Sequence, residues 1–413
     1  MSAAAVADRP QQRTLVDRLS PELVAGAILT ALALVTYWLT GPTDAGGDSF
    51  VPLADAFLHG RLSIPVDRPW LELIPAPDGG QYSPFPPVPA VLLMPAVAVT
   101  NFLGVGEIAS NVTCAVIGAA NVALVFWLLG RIGVRFAPRQ ALTIGFAFTT
   151  HWWVAGMAGT HLYAQVIAVF FLLLALHVAL SRRWPLAAGL LLGMAAGSRL
   201  PTGMALPLVY AVYARDRWRP TRAHAWLLAG LALPAVLLAW YNLARFGSPF
   251  DFGYARIPSG ETGVVTDEPW FSHGLVSPLY IPRHLYAIFL QSFSWVDAAP
   301  FLRPSWTGLA LTLSAPFVFL AAAAWRVRER EALVPVALAS VGLILLPDLM
   351  HGSWGFAQFG YRFVLDAMPV LILLLGWAYR QRASAWLVAT VVIGVAVHAY
   401  GIYAINVLDF VAF

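Results

Sequence analysis

Residues 25–39 read AGAILTALALVTYWL, and the charge-free character extends over Leu23–Thr40, between a polar N-terminus and Gly41. A run of this kind approaches the ~20 residues that cross a hydrocarbon core about 30 Å thick. Outward from it the pattern repeats, for example as LALTLSAPFVFLAAAA at 309–324, until apolar runs account for most of the chain. Of the 413 residues, 59% are hydrophobic and only 11% charged, against about 25% charged in an ordinary soluble domain. Mean hydropathy is +0.72. These values exclude a soluble globular chain and predict an all-α polytopic membrane protein, because a helix satisfies its own backbone in lipid. Met1–Ser20 carries Arg9, Arg13 and Arg18 ahead of the first run, and no small-residue cleavage site follows it. That run is therefore expected to stay in place as an uncleaved helix.

The basic residues are 25 arginines and no lysine. Seventeen of them fall in six clusters: Arg9/Arg13/Arg18, Arg131/Arg135/Arg139, Arg182/Arg183, Arg215/Arg217/Arg219/Arg222, Arg326/Arg328/Arg330 and Arg380/Arg382. Short cytoplasmic loops collect arginine, so all six are expected on one side, with an even number of crossings between neighbours. The pairs Ala141–Ala158 with Tyr163–Leu180, Leu186–Gly197 with Pro201–Ala214, Ala225–Ala244 with Trp306–Ala324, and Leu333–Leu346 with Phe363–Trp377 obey this. A last crossing at Ala385–Ile405 leaves the C-terminus outside. The first interval holds three runs, Leu23–Thr40, Pro86–Phe102 and Ile108–Leu129. The short, proline-interrupted Pro86–Phe102 is expected to lie at the surface or re-enter instead of spanning. The expectation is about eleven spanning helices in one domain over 1–413, with the N-terminus cytoplasmic. Fifteen of the 21 carboxylates then fall on the outer side. Acidic residues contribute little to topology, so outer-face polar function is the better reason for that asymmetry. The net charge of +4 and the pI near 9.3 do not point to nucleic acid, since the arginines sit in short loops. Cys114 stands alone in an apolar run, so no disulfide framework is available.

Two exterior loops, 41–107 and 245–305, are long enough to expect function in them. Both are rich in Trp, Phe, Tyr and Pro. Short interfacial helices are expected at Pro52–Leu62 and Pro282–Val296, placed to roof a cavity opening toward lipid.

The first loop carries Gly46-Gly47-Asp48-Ser49-Phe50, then Ala54-Asp55-Ala56-Phe57-Leu58-His59-Gly60-Arg61-Leu62 and Gln81-Tyr82-Ser83-Pro84-Phe85-Pro86-Pro87. Further along stand Gly197-Ser198-Arg199-Leu200-Pro201, Tyr241-Asn242 with Arg245-Phe246-Gly247-Ser248-Pro249, and Gly360-Tyr361-Arg362-Phe363. Taken in order over nearly the whole chain, this set resembles the C-type (GT-C) membrane glycosyltransferases. The resemblance implies a polyprenyl-phosphate sugar donor, a lipid or cell-envelope glycan acceptor, and an exterior active site; arginine without lysine, with abundant Ala and Gly, suggests a bacterial source and so a bacterial plasma membrane. The first loop lacks an Asp-x-Asp pair, which favours transfer of a single sugar over an oligosaccharide.

Such a reaction needs a general base for the acceptor hydroxyl and cations for the departing phosphate. Asp48 is the expected base, with a helix-capping carboxylate as its other reading; Asp44 is the rival. Arg199 and Arg362 are expected on the donor phosphate, because arginine at membrane depth is costly and tends to be functional. Snorkelling to headgroups is the alternative for Arg199, and pairing with Asp366 the alternative for Arg362. Arg245 and His161 are weaker phosphate candidates; Tyr82, Asp251, Tyr254 and His351 are expected to shape the sugar or acceptor site. No metal-ligand spacing appears among the histidines and carboxylates, so no cofactor is expected, and dependence on a divalent metal stays open. The competing class is a transporter or flippase for a lipid-linked or anionic solute. That class predicts internal repeats or mid-membrane charges, and the chain shows no convincing half-to-half repeat.

Overall fold

The computed structural model describes residues 20–41, 48–65, 71–214, 219–259, 263–327, 332–355 and 357–412. Among the described residues it is a helical bundle with three two-stranded hairpins confined to loops. In chain order the α-helices are α1 (Pro21–Thr40), α2 (Phe50–Leu58), α3 (Val88–Leu103), α4 (Ser110–Arg131), α5 (Phe136–Ala147), α6 (Thr150–Met157), α7 (Thr160–Ser181) and α8 (Pro185–Ala196). They continue as α9 (Leu206–Tyr213), α10 (Arg222–Phe246), α11 (Ile281–Phe289), α12 (Leu311–Ser314), α13 (Leu333–Leu349), α14 (Val364–Ala378) and α15 (Ala385–Ile402). Among the described residues, five helical stretches are long and apolar enough to cross a membrane: α1, α4, α7, α10 and Ala385–Val407. Shorter apolar helices include α3, α8, α13 and α14.

Local chemistry sets the ends. Ser20 caps α1 by accepting from Leu23 N at 3.2 Å, with Pro21 at the first helical position. Ser384 does the same for α15 through Leu387 N at 3.1 Å. Apart from Asp366, helix α14 is apolar all round, and every residue from Val364 to Trp377 is buried, as a central helix should be. Helix α1, by contrast, buries only Gly26, Leu29, Ala33 and Tyr37.

Two of the arginine-bearing turns meet close to the start of α1. Arg135 N donates to Arg380 O at 2.9 Å, Arg380 Nε to Gly133 O at 3.3 Å, and Arg139 pairs with Glu22 at 3.3 Å. The loop at 41–107 meets helix termini: Ser49 N donates to Thr160 Oγ1 at 2.9 Å and Val88 N to Gly197 O at 3.1 Å.

Several elements differ in detail from expectation. Ala141–Ala158 is two helices, broken at Phe148–Thr149, where Thr149 Oγ1 turns back to Gly145 O at 2.7 Å. Trp306–Ala324 becomes α12 followed by a 3₁₀ stretch at Pro316–Arg326, since Pro316 cannot continue an α-helix. Leu200–Ala205, with Pro201 and Gly203, is likewise 3₁₀ before α9. Pro86–Phe102 is the 16-residue α3 with Pro95 inside it. The two loop helices are α2 and α11, shorter than expected: α2 stops where Gly60 takes φ +70° and α11 gives way to the strand Ser294–Trp295.

Candidate functional site

At the end of the bundle where the loops meet lies a cavity of about 570 Å³, in the range of small-ligand pockets. The first exterior loop contributes Glu72 and Phe85, the start of α7 His161, and the turn after α8 Arg199. The second loop supplies Tyr254, Ile257, Val265, Trp270 and Phe271, and Thr307 follows just after it. Asp348 ends α13, and His351, Ser353, Trp354, Gly355, Arg362 and Phe363 come from the segment leading into α14. The lining combines charged and aromatic side chains.

Arg199 is fixed from two helices. Its Nε donates to Asp366 Oδ2 at 3.0 Å, and its Nη2 donates to Asp366 Oδ2 at 2.7 Å and to Asp348 Oδ1 at 3.1 Å. Asp366 is fully buried on the first turn of α14 and Asp348 nearly so. Burial alone would lower the Arg199 pKa, but Asp366 and then Asp348 outweigh it, and the net direction is upward. Asp366 is thus spent on Arg199, not on Arg362 one turn before it. Arg362 is left with Gln165 Oε1 at 3.3 Å and the face of Phe363 at 4.7 Å. Its Nε is buried with no partner among the described residues, as are His161 Nε2 and Asp348 Oδ2. Burial, and then the nearby Arg199 charge, pull the Arg362 pKa down to about 10, so the guanidinium stays cationic at neutral pH, and it forms no ion pair among the described residues. Tyr254, in the cavity beside Glu72, is pushed up to about 12 by burial and then by that carboxylate.

Helix α11 holds the opposite wall. Leu285, Tyr286 and Phe289 face outward, while His284 and Arg283 face the cavity segments. His284 Nε2 lies 2.9 Å from the His351 carbonyl and Nδ1 2.8 Å from the Tyr361 hydroxyl. A carbonyl only accepts, so Nε2 carries the proton and Nδ1 accepts from Tyr361. One neutral imidazole therefore ties together the segments bearing His351 and Arg362. Arg283 stacks on Trp354 at 4.4 Å and Tyr280 at 4.8 Å and donates to the carbonyls of Gly352 and Trp270. Burial brings the His284 pKa down from 6.5 to about 4. Because the unfolded chain takes up a proton near 6.5 while folded His284 stays neutral, stability falls as pH drops from about 6.5 to about 4. In thermal unfolding against pH, His284→Phe is expected to be less stable at pH 7 and to show a shallower slope through that window.

Of the residues singled out from sequence, Arg199, Arg362, His161, Tyr254 and His351 come together in this cavity. Arg245 does not line it. It is buried, stacked at 3.7 Å on Tyr241, and donates to the carbonyl of Ser83 and to Asn242 Oδ1 at 3.0 Å, pinning α10 to the first loop. Tyr82 packs edge-on against Phe246, and Asp251 accepts from Gly253 N at 2.7 Å and pairs with Arg256 at 2.9 Å, both away from the cavity lining. Asp44 lies outside the described residues.

Asp48 is fully buried and also outside the lining. Its Oδ1 accepts from Phe50 N at 2.5 Å and Val51 N at 3.0 Å, and its Oδ2 from the Ser110 hydroxyl at the start of α4. The carboxylate thus serves the N-termini of two helices, where the backbone dipoles favour a negative charge. Burial raises its pKa, against the opposing effect of those hydrogen bonds.

Glu72 is a charged cavity residue that no motif marks. Leu71 and Leu73 on either side are buried, while Glu72 itself has a left-handed backbone, φ +45°, and projects its side chain into the cavity. Its faint signal in the sequence is a lone carboxylate between two leucines in a loop otherwise rich in aromatic residues.

No protein-family model and no curated protein matches the chain. In a search of solved structures it is similar to the crystal structure of an Archaeoglobus fulgidus oligosaccharyltransferase tethered with an acceptor peptide. The identity is 16% and the TM-score 0.45; the match covers 95% of this chain and 55% of that one.

Proposed function

We propose that the protein is a membrane glycosyltransferase that moves one sugar from a polyprenyl-phosphate donor to a lipid or cell-envelope glycan hydroxyl. The observation that supports it most is the pairing of Arg362, a buried cation with no ion pair among the described residues, with aromatic side chains in a cavity at the loop end of the bundle. A guanidinium suits a phosphate because it is planar and permanently charged. In this reading Arg362 and the unpartnered His161 Nε2 take the donor phosphate, and Arg199, held by Asp366 and Asp348, keeps the floor of the site in place. Trp270, Trp354 and Phe271 offer flat surfaces for the sugar and the acceptor. The site lies on the exterior face of a plasma membrane, opposite the arginine-bearing turns, and needs no cofactor.

The test supplies purified protein in detergent with labelled polyprenyl-phosphate hexoses and pentoses and an envelope-lipid extract, following both the label and released polyprenyl phosphate. Transfer is expected with one donor of the panel. Arg362→Gln should raise the KM for that donor at least about tenfold, the loss of one hydrogen bond to a charged group being worth about 1.5–3 kcal/mol. Label crossing a vesicle membrane without release of polyprenyl phosphate would support transport instead.

A further inference from the structure

We propose that Glu72 is the general base that activates the acceptor hydroxyl, an inference that rests on the transferase reading above. Three carboxylates in or against the cavity could be considered, and their surroundings separate them. Asp366 is fully buried and both its oxygens lie against Arg199 Nε. Asp348 is bound to the same guanidinium through Oδ1. Glu72 lines the cavity, and its carboxylate forms no hydrogen bond or ion pair with the described residues. A carboxylate committed to a guanidinium is a poor proton acceptor, whereas an unbound one facing the substrate space is free to take a proton.

The backbone adds an independent argument. A non-glycine residue at φ +45° costs on the order of 1–3 kcal/mol and persists where surrounding structure enforces it. Here Leu71 and Leu73 are both buried, and the left-handed turn between them directs the carboxylate into the cavity. Glu72 is solvent-accessible because the cavity is, yet protein atoms surround it closely. That desolvation raises its pKa above the usual 4.5, against the opposing pull of Arg362, a shift toward the range in which a base works best near neutral pH.

The step balances without a further reactant. The acceptor O–H proton passes to a Glu72 carboxylate oxygen as the acceptor oxygen forms a bond to the sugar anomeric carbon. The bond from that carbon to the phosphate oxygen breaks, and its electron pair leaves with polyprenyl phosphate beside Arg362. Glu72 then returns its proton to water.

The deciding experiment compares wild type, Glu72→Gln, Glu72→Asp and Asp48→Asn with a labelled polyprenyl-phosphate sugar that the wild type turns over, across pH. Glu72→Gln is expected to lose about 10²–10⁴ in kcat with donor KM little changed, and to lose the acid limb that wild type shows as pH falls through the raised carboxyl pKa. Glu72→Asp should recover part of the rate and keep the limb. Asp48→Asn should unfold at lower temperature while its remaining turnover keeps the limb. An acid limb that vanishes in Asp48→Asn and survives in Glu72→Gln would overturn the assignment and leave the transferase reading standing. A readout without turnover is carbodiimide modification of Glu72, scored by mass spectrometry. Polyprenyl phosphate should protect the residue, and equal modification with and without it would overturn the placement of Glu72 at the substrate. Wild type that turns over none of the sugars would instead count against the transferase reading and take the base assignment with it.

Discussion

Arg199→Leu is expected to yield little folded protein, with the surviving fraction unfolding at much lower temperature in detergent. The substitution leaves Asp366, fully buried, and Asp348, nearly so, without the guanidinium that bonds both. Removing one partner of a buried ion pair costs about 3–5 kcal/mol, because the other charge stays buried and uncompensated. Against native stabilities of about 5–15 kcal/mol, that is a large share. Arg199→Lys keeps the charge but loses the forked contact, and should fall between. The sharper test is the triple variant Arg199→Leu with Asp348→Leu and Asp366→Leu. Replacing a whole buried ionic group with apolar residues is often neutral or stabilising, so thermal unfolding should recover most of its temperature while sugar transfer does not. A single variant as stable as wild type would show that the three side chains do not depend on one another in the membrane.

A comparable loss is expected from Gly230→Val or Gly189→Val, for a steric reason. Helices α8 and α10 touch backbone to backbone. A Cβ on Gly189 would sit 1.9 Å from the Leu227 carbonyl oxygen, and one on Gly230 2.0 Å from that of Leu186. Between apolar helices in lipid there is little hydrophobic drive to associate, and close approach through small residues supplies the packing instead. Since the obstacle is backbone, relief requires the helices to separate. Overpacking costs about 1–3 kcal/mol, and the upper end is expected here. Gly342, which has open space at its Cβ, is the control: Gly342→Ala should leave thermal unfolding near the wild-type value.

What the sequence discloses and what it hides follow from the range of the interactions involved. Apolar runs and arginine clusters are local, so the helices and the meeting of the Arg135 and Arg380 turns at one end could be anticipated. Helix breaks at Pro316 and Pro201 are also local in cause, but an average over a long apolar run conceals them. In the site, Arg199 and Arg362 were legible because arginine beside long apolar helices needs a reason. Which of them Asp366 would serve was not, since the i,i+4 relation to Arg362 competes with a contact to Arg199 from another part of the chain. Asp48 shows a further ambiguity: Gly46-Gly47-Asp48-Ser49 suits a cap as well as a base, and the contacts with the amides of Phe50 and Val51 and the Ser110 hydroxyl, which show the capping part, come from the fold and not from the motif. Glu72 gave almost no signal, because its placement depends on a positive φ between two buried leucines.

The central claim is that the cavity at the loop end binds a polyprenyl-phosphate through Arg362. The most direct measurement is the affinity of polyprenyl phosphate itself, without a sugar, for purified protein in detergent, comparing wild type with Arg362→Gln and with Arg256→Gln, an exposed arginine outside the cavity lining. Binding weakened about tenfold or more in Arg362→Gln and unchanged in Arg256→Gln is the predicted result. Equal affinity in all three would contradict the claim and move the phosphate away from this cavity.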